Sequence, residues 1–308
     1  MRDLPRVADL VETCFAGTMD NEGQRFIQQM RKAGEDHHWL QWAANAVESA
    51  SLPLSGYVWE EGNALVGNVS LIPYREKGKK VYLLANVAVL PEFRRRGIAQ
   101  ALTQQALEHI WKHNATAAWL HVRNDNPGAV QLYSDLGFRE VVRRSHWQAQ
   151  PDRNIPEGLN NLHTRQRIAR DWGFQQKWLE RLYPEAMRWY QVIPWEGIRP
   201  GLTGAVQRFF MEINSQSWSI CDQENVLGMV TAISSLGRSP QLWVAIPENH
   251  QDEALTALLI HARRNPAGHE HLVADFPGGL AEDAFKNAGF ICQRTLIWMK
   301  LEKTFSKE

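Results

Sequence analysis

VAVLPEFRRRGIAQAL, residues 87–102, is the stretch on which the reading of the chain turns. An extended apolar run ends at Pro91, the arginines Arg94, Arg95 and Arg96 follow, and a periodic stripe begins at Ile98. Ile98, Leu102, Ala106 and Ile110 recur every four residues, as in a helix lying on a sheet. A helix N-terminus carries roughly half a positive charge and leaves N–H groups that Ser, Thr, Asp or Asn usually cap. Here no such residue stands, and three cations do. A bound anion resolves both problems; a solvated basic turn is the alternative. Gly97 lets the backbone approach a bulky anion, successive free N–H groups bind phosphate oxygens, and arginines add charge-assisted contacts.

Working outward, LPRVADLVETCF (4–15) is amphipathic and residues 21–31 continue helically. Residues 56–74 read as a hairpin turning at Glu61-Gly62-Asn63, and residues 81–90 as a buried strand. AAWLHV (117–122) is a further strand. The next helix opens at Asn126-Pro127, a cap followed by proline in the first turn, and stops at Gly137. The second half repeats this order. Residues 218–233 mirror the hairpin, with Leu227-Gly228 matching Val66-Gly67. LWVAIPENHQDEALTALL (242–259) mirrors the opening stretch, with Pro247 matching Pro91. HLVADFPGGLAEDAFKNAGF (271–290) mirrors 118–138, with Gly289-Phe290 matching Gly137-Phe138. The polar stretch 148–161 breaks both periodicities and puts a boundary near residue 150. Residues 163–190, rich in helix formers, are expected to open the second copy.

Arg94-x-x-Gly97-x-Ala99, between strand and helix, resembles the pyrophosphate loop of the GNAT superfamily of acyl-CoA N-acyltransferases. The resemblance covers most of residues 1–150 and takes in Val87-Ala88-Val89, Pro91, Asn126, Leu132-Tyr133 and Gly137-Phe138. It implies an α/β fold of mixed sheets, in two tandem GNAT-like domains. Each is a mostly antiparallel sheet with a splayed parallel strand pair, flanked by helices. Residues 1–150 would form the acetyltransferase domain and 151–308 a degenerate copy.

The resemblance further implies acetyl-CoA as co-substrate, held by the turn Arg94, Arg95, Arg96, Gly97, Ile98, Ala99 and Gln100. Val87, Ala88 and Val89 would pair with the pantetheine amides like an added strand, and Val87 or Val89 would polarise the thioester carbonyl. Asn126 would hydrogen-bond the pantetheine arm, besides capping its helix. Tyr133 would protonate the departing thiolate; a phenol is protonated at neutral pH and suits that task. Without the upstream loop, Tyr133 would read as a core aromatic with its hydroxyl at the surface. The implied reaction is direct attack of a primary amine on the thioester in a ternary complex.

The second copy reads as an internal control. Asn249 is placed to cap its helix, and Asp252 and Glu253 suit the dipole. Counting from the matched prolines puts Glu253 where Gly97 stands, and counting back from Gly289 puts Phe285 where Tyr133 stands. Copy one is then the cofactor site.

Two departures from the family stand out. Its members usually begin with a strand ahead of the first helix, whereas here Asp3-Leu4-Pro5 come almost at once. Many carry a glutamate on the fourth strand as general base, and Leu83-Leu84-Ala85-Asn86 offers none. Water, Glu60, Glu61 and His121 remain as candidates. His109-x-x-x-His113 has helical ligand spacing but no third ligand, so a solvated helix face is expected rather than a metal. His269 and His271 carry little, and His37-His38-Trp39 would wall the acceptor crevice.

Composition excludes several classes. The chain has 308 residues, 22% charged and 44% hydrophobic, as expected of an ordinary globular protein of two domains of about 150 residues. Lys plus Arg and Asp plus Glu both number 34, so no global charge calls for nucleic acid or an anionic membrane. Cys14, Cys221 and Cys292 lie too far apart for a metal site or disulfide framework, which favours a reducing, cytoplasmic setting. No apolar signal core or membrane span is legible. The thirteen tryptophans are read as core and crevice packing. The expected partner is a small-molecule or peptide amine, and the expected state a monomer or homodimer. A non-catalytic acyl-CoA sensor or interaction module is the alternative function.

Overall fold

A computed structural model describes residues 3–17, 19, 21–35, 55–150, 162–210, 212–234, 240–264 and 272–303. The chain divides into two units by its internal contacts. The first comprises residues 1–122, 126–140 and 298–308; the second comprises 123–125 and 141–297.

In the first unit, α1 (Leu4–Phe15) carries Pro5 in its opening turn, where a missing N–H goes unused. Its stripe Leu4, Val7, Ala8, Leu10 and Val11 packs with Ile27, Met30 and Ala33 of α2 (Asn21–Glu35) and with Leu65 and Ala88 of the sheet. The strands β1 (Ser55–Glu61), β2 (Ala64–Glu76) and β3 (Lys79–Val89) form an antiparallel meander. Between β3 and the parallel strand β4 (Ala117–Arg123) runs α3 (Ile98–Lys112). It lies close on the sheet because Gly67 has no Cβ. One placed there would sit 3.0 Å from Ile98 Cγ2 and 3.1 Å from Leu102 Cδ1. The short α4 (Pro127–Asp135) ends at Gly137, whose φ of 92° suits glycine. Residues 298–302 complete this unit beside β4: Lys303 N–H donates to Thr116 O at 3.0 Å, and Lys300 pairs with Glu76.

The second unit opens on β5 (Arg139–Ala149), all but its first two residues, followed by β6 (His163–Gln166). The helix expected from residue 163 starts only at α5 (Trp172–Leu182). Residues 163–166 are instead drawn into the sheet by pairing from His163↔Cys221 to Gln166↔Trp218, a non-local gain that overrides helix propensity. There follow α6 (Trp195–Ile198), α7 (Gly201–Phe210), and the hairpin β7 (Asn214–Asp222) and β8 (Asn225–Ser234). The repeat closes with β9 (Gln241–Ala245), α8 (Asp252–Arg264), β10 (Val273–Pro277), α9 (Glu282–Asn287) and β11 (Phe290–Glu302). Strand β5 pairs antiparallel with β10, and the order continues β10-β9-β8-β7-β6. The matched glycine Gly228 sits under Ile246 and Leu258 as Gly67 sits under α3. The core here is large and apolar and includes Trp147, Phe276 and Phe285. All three cysteines are free thiols.

Candidate active site

Strands β3 and β4 part early. They pair in register only from Val81↔Ala117 to Leu84↔Leu120, although β3 runs on to Val89 and β4 to Arg123. Just past the last pair β3 bulges: Ser70 faces Ala85 and Asn68 faces Ala88, so β3 carries one extra residue. Asn86 takes a left-handed φ of 51° there. Asn68, 3% exposed, holds the bulge, its Nδ2 donating to Asn86 O at 2.9 Å and Ser70 Oγ at 3.1 Å.

The bulge changes which backbone groups face the gap. Lys80 O accepts from Thr116 N–H, so even-numbered residues address β4 before the bulge. Beyond it, Leu90 N–H donates to Val66 O, so Ala88 addresses β2 while Val87 and Val89 turn into the gap. Val89 O is taken by Arg94 Nε at 3.1 Å, which leaves Val87 with both groups available.

The turn that follows has no cap. Pro91–Phe93 make one 3-10 turn, Arg95 has φ 63°, Gly97 has φ 79°, and no side chain caps α3. Ala101 N–H, bonded to Gly97 O at 3.0 Å, is the first paired donor. Among the described residues nothing takes the N–H groups of residues 95–100. A Cβ on Gly97 would meet no atom within 4 Å, so glycine is required for its φ, and the space above it is open. Two arginines are tethered to the turn: Arg94 as above, and Arg96 through Glu92 O at 3.0 Å and the face of Phe93. Arg95 is exposed and makes no hydrogen bond among the described residues. Cys14 lies against Arg94, and burial pushes its thiol pKa up. Ile98 is buried under the turn, Ala99 is half-buried and Gln100 is exposed.

Asn126 caps α4, its Oδ1 accepting from Ala129 N–H at 3.1 Å; its Nδ2 bonds nothing among the described residues. Tyr133 is 6% exposed, edge-on to Phe138, and its hydroxyl has no protein partner among the described residues. Burial pushes its phenol pKa well above the ordinary value of 10.

The second unit corrects two sequence expectations. Helix α8 starts at Asp252, so Asn249 lies too early to cap it. The residue in the place of Gly97, immediately before the helix, is Gln251, whose carbonyl accepts from Leu255 N–H; Glu253 sits inside the first turn. The loop after Pro247 is therefore shorter than that after Pro91, and counting from the prolines misaligns the helix starts. Asp252 and Glu253 do occupy the acidic first turn. Phe285 is fully buried and stacks on Trp147 with centroids 4.9 Å apart.

Of the candidate bases, Glu60 accepts from Arg6 at 2.8 Å and Glu61 from Trp59 Nε1 at 3.1 Å. His121 is the first β4 residue past the paired segment and packs on Trp298, 4.8 Å between centroids. His109 and His113 stack at 4.0 Å, and His109 Nδ1 meets Tyr57 Oη at 3.0 Å; His109 is half-buried, while Glu108, Lys112 and His113 are exposed, as expected of a solvated face. No group of three or more His, Cys, Asp or Glu is placed to hold a metal among the described residues. Likewise no helix among them is long and apolar enough to cross a membrane. His37-His38-Trp39, His269, His271 and most of the boundary stretch 148–161 lie outside the described residues. The bulge formed by Asn68, Ser70 and Asn86 is a feature that sequence reading missed; only the strand register exposes it.

A meander, a splayed parallel pair and an uncapped strand–turn–helix, with the same order of elements in the second unit, define an acyl-CoA N-acyltransferase fold with two GNAT-like regions. Residues 18–138 match the model of the acetyltransferase (GNAT) family. It is similar to a [ribosomal protein bS18]-alanine N-acetyltransferase of Escherichia coli (strain K12), with 37% identity over 65 residues, 21% of this chain and 44% of that protein. An N-alpha-acetyltransferase of Sulfurisphaera tokodaii is 39% identical over 67 residues, 21% of this chain and 40% of its own. The chain thus spans less than half the length of these curated relatives. A solved GCN5-related N-acetyltransferase from Sphaerobacter thermophilus shares the fold across 97% of this chain and 92% of its own, at 16% identity and a TM-score of 0.55.

Proposed function

We propose that this protein is an N-acetyltransferase that moves an acetyl group from acetyl-CoA to a primary amine by direct attack. The first unit carries the site, and the second forms a degenerate copy. The observation that carries the reading is the run of N–H groups at residues 95–100, unpaired among the described residues and opened by the left-handed Gly97 beside the gap between β3 and β4.

Those N–H groups, the α3 dipole and the arginines hold the diphosphate. Val87 pairs with the pantetheine amides, and its N–H polarises the thioester carbonyl. Asn126 Nδ2 donates to the same arm while Oδ1 keeps its cap. As the neutral amine nitrogen bonds the carbonyl carbon and releases a proton to water, the C–S bond breaks and Tyr133 donates a hydrogen bond to the departing sulfur. Its phenol is held above 10, whereas a thiol titrates near about 8.5, so full transfer runs uphill. Tyr133 therefore acts chiefly by hydrogen-bonding the developing thiolate. The matched relatives' names point to α-amines of proteins, so peptide N-termini belong in the first acceptor screen beside small amines.

The test is calorimetry with CoA on the wild type and Gly97→Glu, followed by turnover with acetyl-CoA and mixed amines, read as free thiol. Binding lost in Gly97→Glu, with thiol released by the wild type, is the expected result. Intact binding in Gly97→Glu rejects the site. Binding without turnover on any amine leaves a sensor in place of an enzyme.

A further inference from the structure

In the second unit a guanidinium and a phenol are buried together. Arg144, 4% exposed, gives its two hydrogen bonds to carbonyls: Nη1 to Leu182 O at 2.8 Å and Nη2 to Asp275 O at 2.7 Å. Its Nε bonds nothing, and its plane covers the ring of Tyr183 at 4.6 Å. Tyr183, 2% exposed, packs on Trp243 at 4.8 Å with its hydroxyl beside the Val244 amide, short of a full hydrogen bond. The nearby Asp275 carboxylate is engaged by His146 Nδ1 at 3.1 Å. Burial lowers the Arg144 pKa and raises that of Tyr183.

The location gives this pair its meaning. Strands β9 and β10 are the parallel pair of the second unit, and they meet in register only at Gln241↔Val273. Val273 N–H donates to Pro240 O, so alternation turns the Asp275 carbonyl and the Val244 amide into the gap between them. Those are the two groups that Arg144 and Tyr183 reach, one from β5 and one from the end of α5. In the first unit, the corresponding gap presents Val87 with no partner among the described residues.

We propose that Arg144 and Tyr183 are a built-in occupant of the gap between β9 and β10, closing in the second unit the cleft that the first leaves open. The stacked side chains fill the space between the splayed strands, and the guanidinium satisfies a backbone acceptor that a bound chain would otherwise meet. The second unit then takes no thioester of its own. The comparison with the first cleft rests on the function proposed above; the occupancy does not.

The experiment uses the full chain and no CoA, so its failure is separate from failure of the active-site reading. Tyr183→Gly removes the ring and is expected to lower Tm by roughly 6–12 °C. Millimolar 4-methylphenol should restore part of that loss saturably in the variant and leave the wild type unmoved. Tyr183→Phe should match the wild type, because the ring rather than the hydroxyl fills the gap. An unchanged Tm in Tyr183→Gly, or an equal response of variant and wild type to 4-methylphenol, overturns the proposal. Should Tyr183→Gly not fold, Tyr183→Leu is read by amide hydrogen exchange. At least roughly tenfold faster exchange at Val244, with residues 81–84 unchanged, supports it, and equal protection at Val244 overturns it.

Discussion

Replacing Gly97 with alanine isolates the turn at the start of α3. Gly97 sits at φ 79°, and a Cβ there meets nothing within 4 Å, so the substitution adds backbone strain without a clash. A left-handed residue with a side chain costs about 1–2 kcal/mol. If the turn relaxes when no anion holds it, that strain weakens binding, and at about 1.4 kcal/mol per tenfold the Kd for CoA rises about 5- to 30-fold. Gly62→Ala is the matched control: φ is 59°, the space is equally open, and the turn joins β1 to β2, outside the strand–turn–helix of residues 87–112. Calorimetry with CoA and thermal unfolding are run on both. Gly62→Ala should lose a few degrees of Tm at unchanged Kd, whereas Gly97→Ala should lose affinity. A Gly97→Ala protein that binds CoA like the wild type while unfolding as early as Gly62→Ala would show that the anion sits elsewhere.

Removing the single donor of Tyr133→Phe should lower kcat on the order of 100-fold at unchanged CoA affinity, by steady-state kinetics and calorimetry. Asn68→Ala strips the bulge of its two buried bonds and should cost about 1–3 kcal/mol in urea unfolding. Asp171 is 1% exposed and accepts from Arg165, Ser219 and the Ile168 N–H; Asp171→Asn removes the charge from this buried acceptor and should cost about 1–3 kcal/mol by the same measurement. Burial, then the charges of His113, Lys80 and Lys112, lower the His109 pKa. The unfolded chain therefore binds that proton more readily, and stability is complete above the ordinary histidine value and lost as pH falls below it. Thermal unfolding at pH 7.5 and 5.5 should show the loss, and His109→Gln should flatten it.

Local signals and long-range ones divide what the sequence discloses. The turn at 87–102 is legible because a strand end, a proline, a missing cap and a four-residue stripe fall within one short window. Asn126-Pro127 and Gly137 mark α4 for the same reason. Three features are not legible, each because it depends on pairing across the chain. The bulge at Asn86 exists only in the register of β3 against β2. Strand β6 is made by its edge contact with β7, against a composition that favours helix. Residues 298–302 join the first unit from the far end of the sequence, which no periodicity announces. Matching the copies by their prolines fails for a related reason: a loop that has shortened by two residues keeps its proline and shifts everything beyond it.

The two regions differ in a consistent physical direction. Where the first has Gly97 and a run of free N–H groups, the second has Gln251 followed by Asp252 and Glu253, which satisfy the dipole with side chains of the chain itself. Where the first holds a buried phenol whose hydroxyl has no partner among the described residues, the second has Phe285, sealed against Trp147. Each change exchanges a group awaiting a ligand for one already satisfied. Unpaired polar groups weaken a folded protein unless something else meets them, so a region released from binding gains stability by closing such groups, while a binding region must keep them. The first region holds its open groups together, with no partner for them among the described residues. That joint retention is what a turn, a gap and a phenol serving one ligand would show, and three unrelated accidents of folding would not.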